Sequence, residues 1–194
     1  MFSIKADSLV PSQVAIGTIE RQKADYYEMK MLKHLAVFSY FLSREALLYA
    51  GLMEGDNSVI SYTPNPFLLR IGKISFRPEF YVSKRQTVEV IFFETTNKML
   101  SECKVELDSF FSQRDIRMLM LNTDEIFKRE IEAENWLDIV RRVSNYDIDS
   151  VNIELAYNLL HRVKRSSVLT LGEIIDRTNR DYDVETEMLL FWLL

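Results

Sequence analysis

Short apolar runs separated by polar turns dominate the middle of the chain. Val59–Tyr62 and Phe67–Ile71 are apolar segments, and Ile74–Val82 runs back from the second of them. The polar stretch Ser83–Gln86 then separates this run from Thr87–Phe93. Short apolar runs bounded by turn residues are typical of β-strands. The pattern predicts three or more strands, with 74–82 and 87–93 paired as a β-hairpin.

Helical patterns precede and follow these strands. Ser43 is a predicted N-cap for a helix that ends at Gly51. A second helix is predicted over roughly 98–113, and 130–144 has its apolar residues on one side, as an amphipathic helix does. The run 116–121 is a further buried-type strand. The order helix, strands, helix, strand predicts an α+β or α/β fold with one mixed sheet.

The two ends of the chain have weaker sheet patterns. Residues 1–25 are predicted to be irregular, and the second half of 26–41 fits either a strand or a helix. Three more helices are predicted near the C-terminus, at about 150–165, 169–177 and 184–194. This predicts a first domain over 1–142 and a small helical domain over 143–194, with the layout of a shortened winged-helix core.

Composition narrows the classes of protein that remain. The 24 basic and 29 acidic residues give a net charge of −5, which argues against a general nucleic-acid coat but permits a local basic surface. The single cysteine excludes an internal disulfide, and residues 1–20 lack a signal-peptide pattern, so a cytoplasmic protein is expected. No apolar stretch approaches about 18 residues, so no membrane span is predicted. Neither histidine, His34 or His161, has a sequence neighbour that suggests a hydrolytic triad.

Two acids stand on the predicted hairpin, one on each arm. They are Glu79 and Glu89. Facing carboxylates without a basic partner repel each other unless a divalent cation joins them, and Mg²⁺ is typically held by one or two carboxylates plus substrate phosphates. The pair predicts a phosphodiester-cutting metal site, or the remains of one. The alternative is two ordinary surface acids on a hairpin.

Five short motifs follow one another along the chain: Ser43-Arg44-Glu45, Asp56 to Pro66, Phe76-Arg77-Pro78-Glu79-Phe80, Val88-Glu89-Val90-Ile91 and Leu121-Asn122-Thr123-Asp124-Glu125-Ile126. In this order they resemble the TnsA family, the endonuclease subunits of heteromeric transposases. The resemblance implies a restriction-endonuclease-like mixed sheet flanked by helices. It also implies a second, winged-helix-like domain that engages transposase partners.

The resemblance assigns chemistry to three acids. It implies that Glu45, Glu79 and Glu89 are the catalytic and metal-binding residues. Two Mg²⁺ (or Mn²⁺) ions would activate a water and stabilise the leaving 3′ oxygen when a DNA strand is cut. The implied partners are DNA, a DDE transposase and an ATPase regulator, with no membrane involved.

Two positions depart from the family pattern. Glu79 stands where the family has aspartate, and Ile91 stands where it has the lysine that orients the attacking water. One extra methylene displaces a carboxylate by about 1 Å, a scale on which rates can fall about 10²-fold. Lys73, Lys84 or Lys98 would have to replace the missing lysine. Three functions stay open: an endonuclease of a transposition complex, a non-catalytic module with the same fold, and a phage or plasmid DNA-processing nuclease.

Overall fold

The computed structural model describes residues 4–6, 8–15, 17–34, 36, 38–94, 100 and 102–144, together with 154, 157, 158 and 161. The chain divides into two compact units, Met1–Asp138 and Ile139–Leu194. The predicted helical domain 143–194 stays a prediction, because most of it lies outside the described residues. Its described positions between 154 and 161 are helical, and the predicted helices 169–177 and 184–194 lie wholly outside.

The described elements mix helices and strands, which confirms an α+β chain. In chain order they are β1 (Ile4–Ala6), α1 (Thr18–Lys23), β2 (Tyr27–Met29), β3 (Ser39–Phe41), α2 (Arg44–Gly55), β4 (Val59–Pro64), β5 (Leu69–Ile71), β6 (Ile74–Phe76), β7 (Phe80–Lys84), β8 (Val88–Phe93), α3 (Lys104–Ser112), β9 (Ile116–Leu121), α4 (Thr123–Phe127) and α5 (Glu130–Ser144).

The prediction of one mixed sheet is wrong, because the described strands form three sheets, β1-β5-β6, β2-β3 and β4-β7-β8-β9. The last of these is the largest. β7 is antiparallel to both of its neighbours, whereas β8 and β9 are parallel. Parallel neighbours need a crossover connection, and α3 lies in the one that joins β8 to β9. Residues Glu89–Phe93 of β8 are all buried, as expected for a strand that is covered on both faces.

One face of this sheet packs against α3. Val90 and Phe92 of β8 share a buried cluster with Leu107 and Phe111 of the helix. The rings of Phe92 and Phe111 lie 6.3 Å apart between centroids. This cluster explains why the apolar positions of α3 recur at helical spacing.

The opposite face of the sheet packs against α2. The ring of Tyr49 lies 5.5 Å from that of Phe80 and 6.0 Å from that of Phe93, measured between centroids. Side chains alternate between the faces of a strand, so Glu89 and Ile91 of β8 belong to the same face as Phe93. The acid and the apolar residue singled out by the sequence therefore both point to the α2 side.

Helix α2 begins where the sequence predicted and ends later. Ser43 is its N-cap, because the Ser43 hydroxyl accepts a hydrogen bond from Ala46 N–H at 3.2 Å. The predicted end at Gly51 is wrong, since the helix continues to Gly55. A Cβ at Gly51 would lie 2.6 Å from the Ala133 carbonyl oxygen of α5. Glycine at this position permits a close helix contact instead of ending the helix.

Two other expectations are corrected. Residues 1–25 are not wholly irregular, because they include β1, which pairs with β5, and α1. The predicted strand 74–82 is two strands that belong to different sheets, β6 and β7. Pro78 lies in the break between them, where its missing N–H removes a ladder donor.

Candidate functional site

The register of the β7–β8 hairpin decides which acids can meet. Val82 pairs with Glu89, and Phe80 pairs with Ile91. Glu79 lies just beyond the second of these pairs, where its N–H donates to Ile91 O at 2.9 Å. Glu79 and Glu89 therefore lie at opposite ends of the hairpin ladder, and the expectation that they face each other is wrong.

The two ends of the β7–β8 pair differ in how the strands are connected. We call the end with Lys84 and Val88 the turn end, because the β7–β8 turn joins them. We call the end with Phe80 and Phe93 the open end, because β7 begins and β8 finishes there. Glu89 belongs to the turn end and Glu79 to the open end.

Glu89 is surrounded by cations of its own chain. Its side chain is 3% exposed, and its Oε2 lies 2.9 Å from Lys84 Nζ while its Oε1 lies 3.6 Å from Arg117 Nη1. Among the described groups, none gives Oε2 a well-aligned hydrogen bond, so the Lys84 contact is an ion pair. The expected absence of a basic partner is thus wrong for Glu89. Two cations balance its charge without a metal ion.

The carboxylate of Glu79 accepts a hydrogen bond from the backbone of β8. Phe93 N–H donates to Glu79 Oε2 at 3.1 Å, at the point where the β7–β8 ladder stops. Desolvation raises the pKa of Glu79 to about 7, against the lowering effect of hydrogen bonds from the Phe93 and Glu79 N–H groups. Glu79 is therefore partly protonated near neutral pH.

Glu45 lies toward the open end. It is in the first turn of α2, where an acid complements the helix dipole. The helix leads from there toward Val59, which pairs with Lys84 at the turn end. Tyr49, one turn after Glu45, packs against the open-end phenylalanines. Glu45 thus lies one helical turn before a residue that packs at the open end.

Sequence reasoning missed a further acid at the open end, Glu94. It is exposed, follows Phe93 directly, and its N–H donates to Leu121 O of β9 at 2.7 Å. Because Phe93 N–H binds the Glu79 carboxylate, the β8-side acid next to that contact is Glu94, whereas Glu89 is four residues earlier. Counting strand pairs outward from the turn places Glu79 opposite Phe92, two residues from Glu94 and three from Glu89.

The three predicted metal ligands do not lie together in one site. No group of three or more His, Cys, Asp or Glu side chains that could hold a metal ion occurs in the part of the chain that the structure describes. Glu45 and Glu79 lie toward one end of the sheet and Glu89 lies at the other. Their assignment as ligands of Mg²⁺ or Mn²⁺ stays a prediction.

The position of the missing lysine is part of the core. Ile91 is fully buried. Of the lysines considered as replacements, Lys84 contacts Glu89 at the turn end, and Lys73 is exposed in the turn between β5 and β6. Lys98 lies outside the described residues. Of the two candidate lysines that the structure describes, Lys84 therefore contacts a predicted site acid, Glu89, at the end away from Glu79.

One histidine has a serine partner that the sequence did not indicate. His34 Nδ1 lies 2.7 Å from Ser39 Oγ. Ser39 is fully buried, so its hydroxyl cannot meet a substrate. Since a nucleophile must be reachable, this pair is a structural contact of the loop before β3.

Comparisons with known proteins give no support from relatedness. The chain matches no protein-family model, and no curated protein is significantly similar to it. Among the helices that the structure describes, none has the length and apolarity needed to cross a membrane. The chemistry of the two sheet ends is what bears on function.

Proposed function

We propose that the protein is a TnsA-like subunit of a DNA transposition machinery that binds DNA and partner subunits and does not cut DNA itself. The proposal that the protein does not cut DNA rests on one observation. Glu89, the acid that matches the family's Val-Glu-Val-Lys motif, is buried between Lys84 and Arg117. A carboxylate already balanced by two cations has little remaining charge with which to attract Mg²⁺.

The restriction-endonuclease-like fold is part of this proposal. α2, the antiparallel strands β4, β7 and β8, the crossover helix α3 and the parallel strand β9 follow the order on which the resemblance rests. That order supports the fold assignment. It says nothing about turnover, since one fold can carry many functions.

A local positive surface supports DNA as a partner. At the turn end, Lys84 and Arg117 face one acid, and Arg85 beside them is exposed. The Arg117 side chain is 66% exposed, so its guanidinium can reach a ligand in solvent. Arginine and lysine contacts to phosphate supply most of the sequence-independent affinity for DNA.

Strand cutting is a second candidate function, favoured by the open end. Glu79 is bound at Phe93, Glu94 is the next residue, and Glu45 lies toward the same end. Two carboxylates plus phosphate oxygens are the donor set that Mg²⁺ prefers, and Glu79 and Glu94 supply donors of that type. A bound Mg²⁺ would supply a polarised phosphate and an activated water. The residue two positions after Glu94 is Thr96, so the motif lacks its lysine in this alignment too.

A nicking assay separates the two candidates. The full chain is incubated with supercoiled plasmid and Mg²⁺ or Mn²⁺, and relaxed plasmid is measured. We expect no relaxation above background. Relaxation that Glu94→Gln abolishes and Glu89→Gln leaves unchanged would overturn the proposal in favour of cutting at the open end. Relaxation lost only in Glu89→Gln would restore the site predicted from sequence.

The binding half of the proposal has its own measurement. Mobility shift of a labelled duplex by the same protein preparations is expected for the wild type and for both glutamine variants. Failure of the wild type to shift any DNA at low salt would show that the proposal is wrong even if nicking is absent.

A further inference from the structure

A cavity of about 560 Å³ lies beside the outer edge of β4, away from both ends of the sheet discussed above. Its walls come from residues 11–13 and from Ser61–Thr63 of β4, with five further residues, Lys33, His34, Ala36, Phe38 and Tyr40. β4 is an edge strand, and its Tyr62 N–H donates to Lys33 O instead of to another strand. Pockets for small ligands typically enclose about 300–1,000 Å³, so this one is large enough.

Aromatic rings form much of the cavity wall. His34, Phe38, Tyr40 and Tyr62 all line it. Phe38 is 45% exposed, so its ring can be reached from solvent. Tyr40 is stacked on Tyr26, with centroids 5.9 Å apart and planes inclined by 21°. The cavity thus has aromatic side chains in its wall against which another flat group can pack.

A guanidinium group lies on the same aromatic stack. Arg21 Cζ is 5.5 Å from the ring centroid of Tyr40 and 5.0 Å from that of Tyr26. Arg21 is exposed. A guanidinium that stacks on an aromatic face still directs its N–H donors outward in its plane, where they suit a phosphate.

One charged side chain, that of Lys33, is among the residues that line the cavity, and its ammonium group is engaged by the backbone. Lys33 Nζ donates to two backbone carbonyls, of Met53 and Asp56, at 2.9 and 2.8 Å. Burial lowers the pKa of His34, so its ring is neutral at physiological pH. The other polar side chains are an amide and hydroxyls, those of Gln13, Ser12, Ser61 and Thr63. Such a lining suits an uncharged group that has both donors and acceptors.

We propose that this cavity binds one unpaired nucleotide, with its base against Phe38 and Tyr40 and its phosphate at Arg21. A nucleobase is flat and uncharged and has hydrogen-bonding edges, and proteins commonly hold unpaired bases by stacking them on aromatic side chains. The nucleotide is either a free mononucleotide or one exposed in a DNA strand. The inference goes beyond the proposed function, because it needs neither the acids of the sheet nor a transposition complex.

Calorimetric titration of the full chain tests this site. The probes are adenosine and thymidine, their 5′-monophosphates, oligothymidylate, and a duplex of the same length. We expect saturable binding of a monophosphate or of the single strand. Phe38→Ala should weaken that binding about tenfold, the effect of losing one stacked ring. The matched control is Phe127→Ala, which removes another partly exposed ring, on α4, and should change nothing.

Arg21→Ala tests the phosphate contact separately. It should weaken binding of the monophosphate more than binding of the nucleoside, a result that does not depend on the folding of the Phe38 variant. If the single strand binds more tightly than the mononucleotide, the nucleotide comes from DNA. If the mononucleotide binds more tightly, the ligand is a free metabolite. The proposal is overturned by the absence of saturable binding to every probe. It is also overturned if Phe38→Ala and Phe127→Ala weaken binding equally.

Discussion

At the scale of single residues, the Glu79 carboxylate accepts a hydrogen bond that a backbone carbonyl would accept in a longer strand pair. The ladder between β7 and β8 ends at Phe80 and Ile91, and the next N–H on β8 that needs an acceptor is that of Phe93. Glu79 supplies this acceptor from its side chain. The contact keeps a strand donor satisfied but requires a carboxyl group to leave water, and desolvation therefore raises its pKa to about 7.

The raised pKa of Glu79 predicts that stability depends on pH. Below about pH 4.5 both folded and unfolded chains hold the proton, and between there and about pH 7 only the folded chain keeps it. Rising pH through this window therefore lowers the free energy of unfolding, by at most about 3 kcal/mol, with no further change above it. Relative to wild type, Glu79→Gln should gain stability across the window in urea unfolding at several pH values. A difference that does not vary with pH would contradict this.

Glu89 predicts a different effect of removing an acid. Its carboxylate balances Lys84, whose side chain is only 26% exposed. Glu89→Ala should lower the free energy of unfolding by about 1–3 kcal/mol, because it leaves that ammonium without its partner and opens a small cavity. Glu94→Ala, at an exposed position, is the control and should stay within about 0.5 kcal/mol. Stabilisation by Glu89→Ala in chemical denaturation would instead indicate an acid kept for function at the expense of stability.

At the scale of elements, the contact between α2 and α5 depends on two glycines. A Cβ at Gly51 would lie 2.6 Å from Ala133 O, and one at Gly55 would overlap the indole ring of Trp136. Glycine inside a helix costs about 1 kcal/mol relative to alanine, so the close packing must offset that loss. The prediction that the helix ends at Gly51 is wrong for this reason. Glycine is needed there because of Ala133, a residue more than eighty positions away.

Gly51→Ala should therefore destabilise the protein even though alanine is the better helix former. We expect a loss of about 1–3 kcal/mol in the free energy of unfolding, because the obstructing atoms belong to backbone and cannot turn aside. Gly17→Ala is a suitable control, because a Cβ there meets nothing within 4 Å. Equal thermal unfolding of wild type and Gly51→Ala would show that α5 can move away from α2 without cost.

The elements also show how far local patterns can predict the fold. Helix 130–144 has its predicted limits, and the strand 116–121 does too, because each carries its own apolar period. The helix predicted at 98–113 corresponds to α3, Lys104–Ser112, with residues 95–99 and 101 outside the described part. The run 74–82 looked like one strand because hydrophobic alternation does not show a change of sheet. That change appears only when β6 pairs with β5 and β7 pairs with β4.

The candidate site was harder to predict than the elements. Composition and motif order indicated the acids but not their register, and a register difference of a few residues moves a side chain to the other end of a strand. Glu89 matches a motif through Val88-Glu89-Val90, whereas Glu94 directly follows Phe93, whose N–H binds the Glu79 carboxylate. The ion pairs of Glu89 could not be foreseen, since Arg117 comes from another strand.

At the scale of the first compact unit, the turn end of the sheet collects three cations. Lys84, Arg85 and Arg117 lie there, together with the buried Glu89. The net charge of −5 for the whole chain hides this arrangement. An acidic protein can still bind a polyanion if its cations are collected on one surface, because screening limits repulsion from charges beyond about 10 Å.

If the turn end binds DNA as proposed, its arginines should set the salt dependence of affinity. Arg117→Ala and Arg85→Ala should each weaken duplex binding and reduce the slope of log K against log salt by about 1, the effect of losing one phosphate contact. Lys104→Ala removes an exposed cation from the start of α3, on the connection from the open end, and is the matched control. Fluorescence anisotropy at several salt concentrations measures all of these slopes. The opposite result is a slope that falls for Lys104→Ala and stays constant for both arginine variants. It would show that DNA binds at the open end of the sheet, beside Glu79 and Glu94. Binding there would favour the cutting function over binding alone.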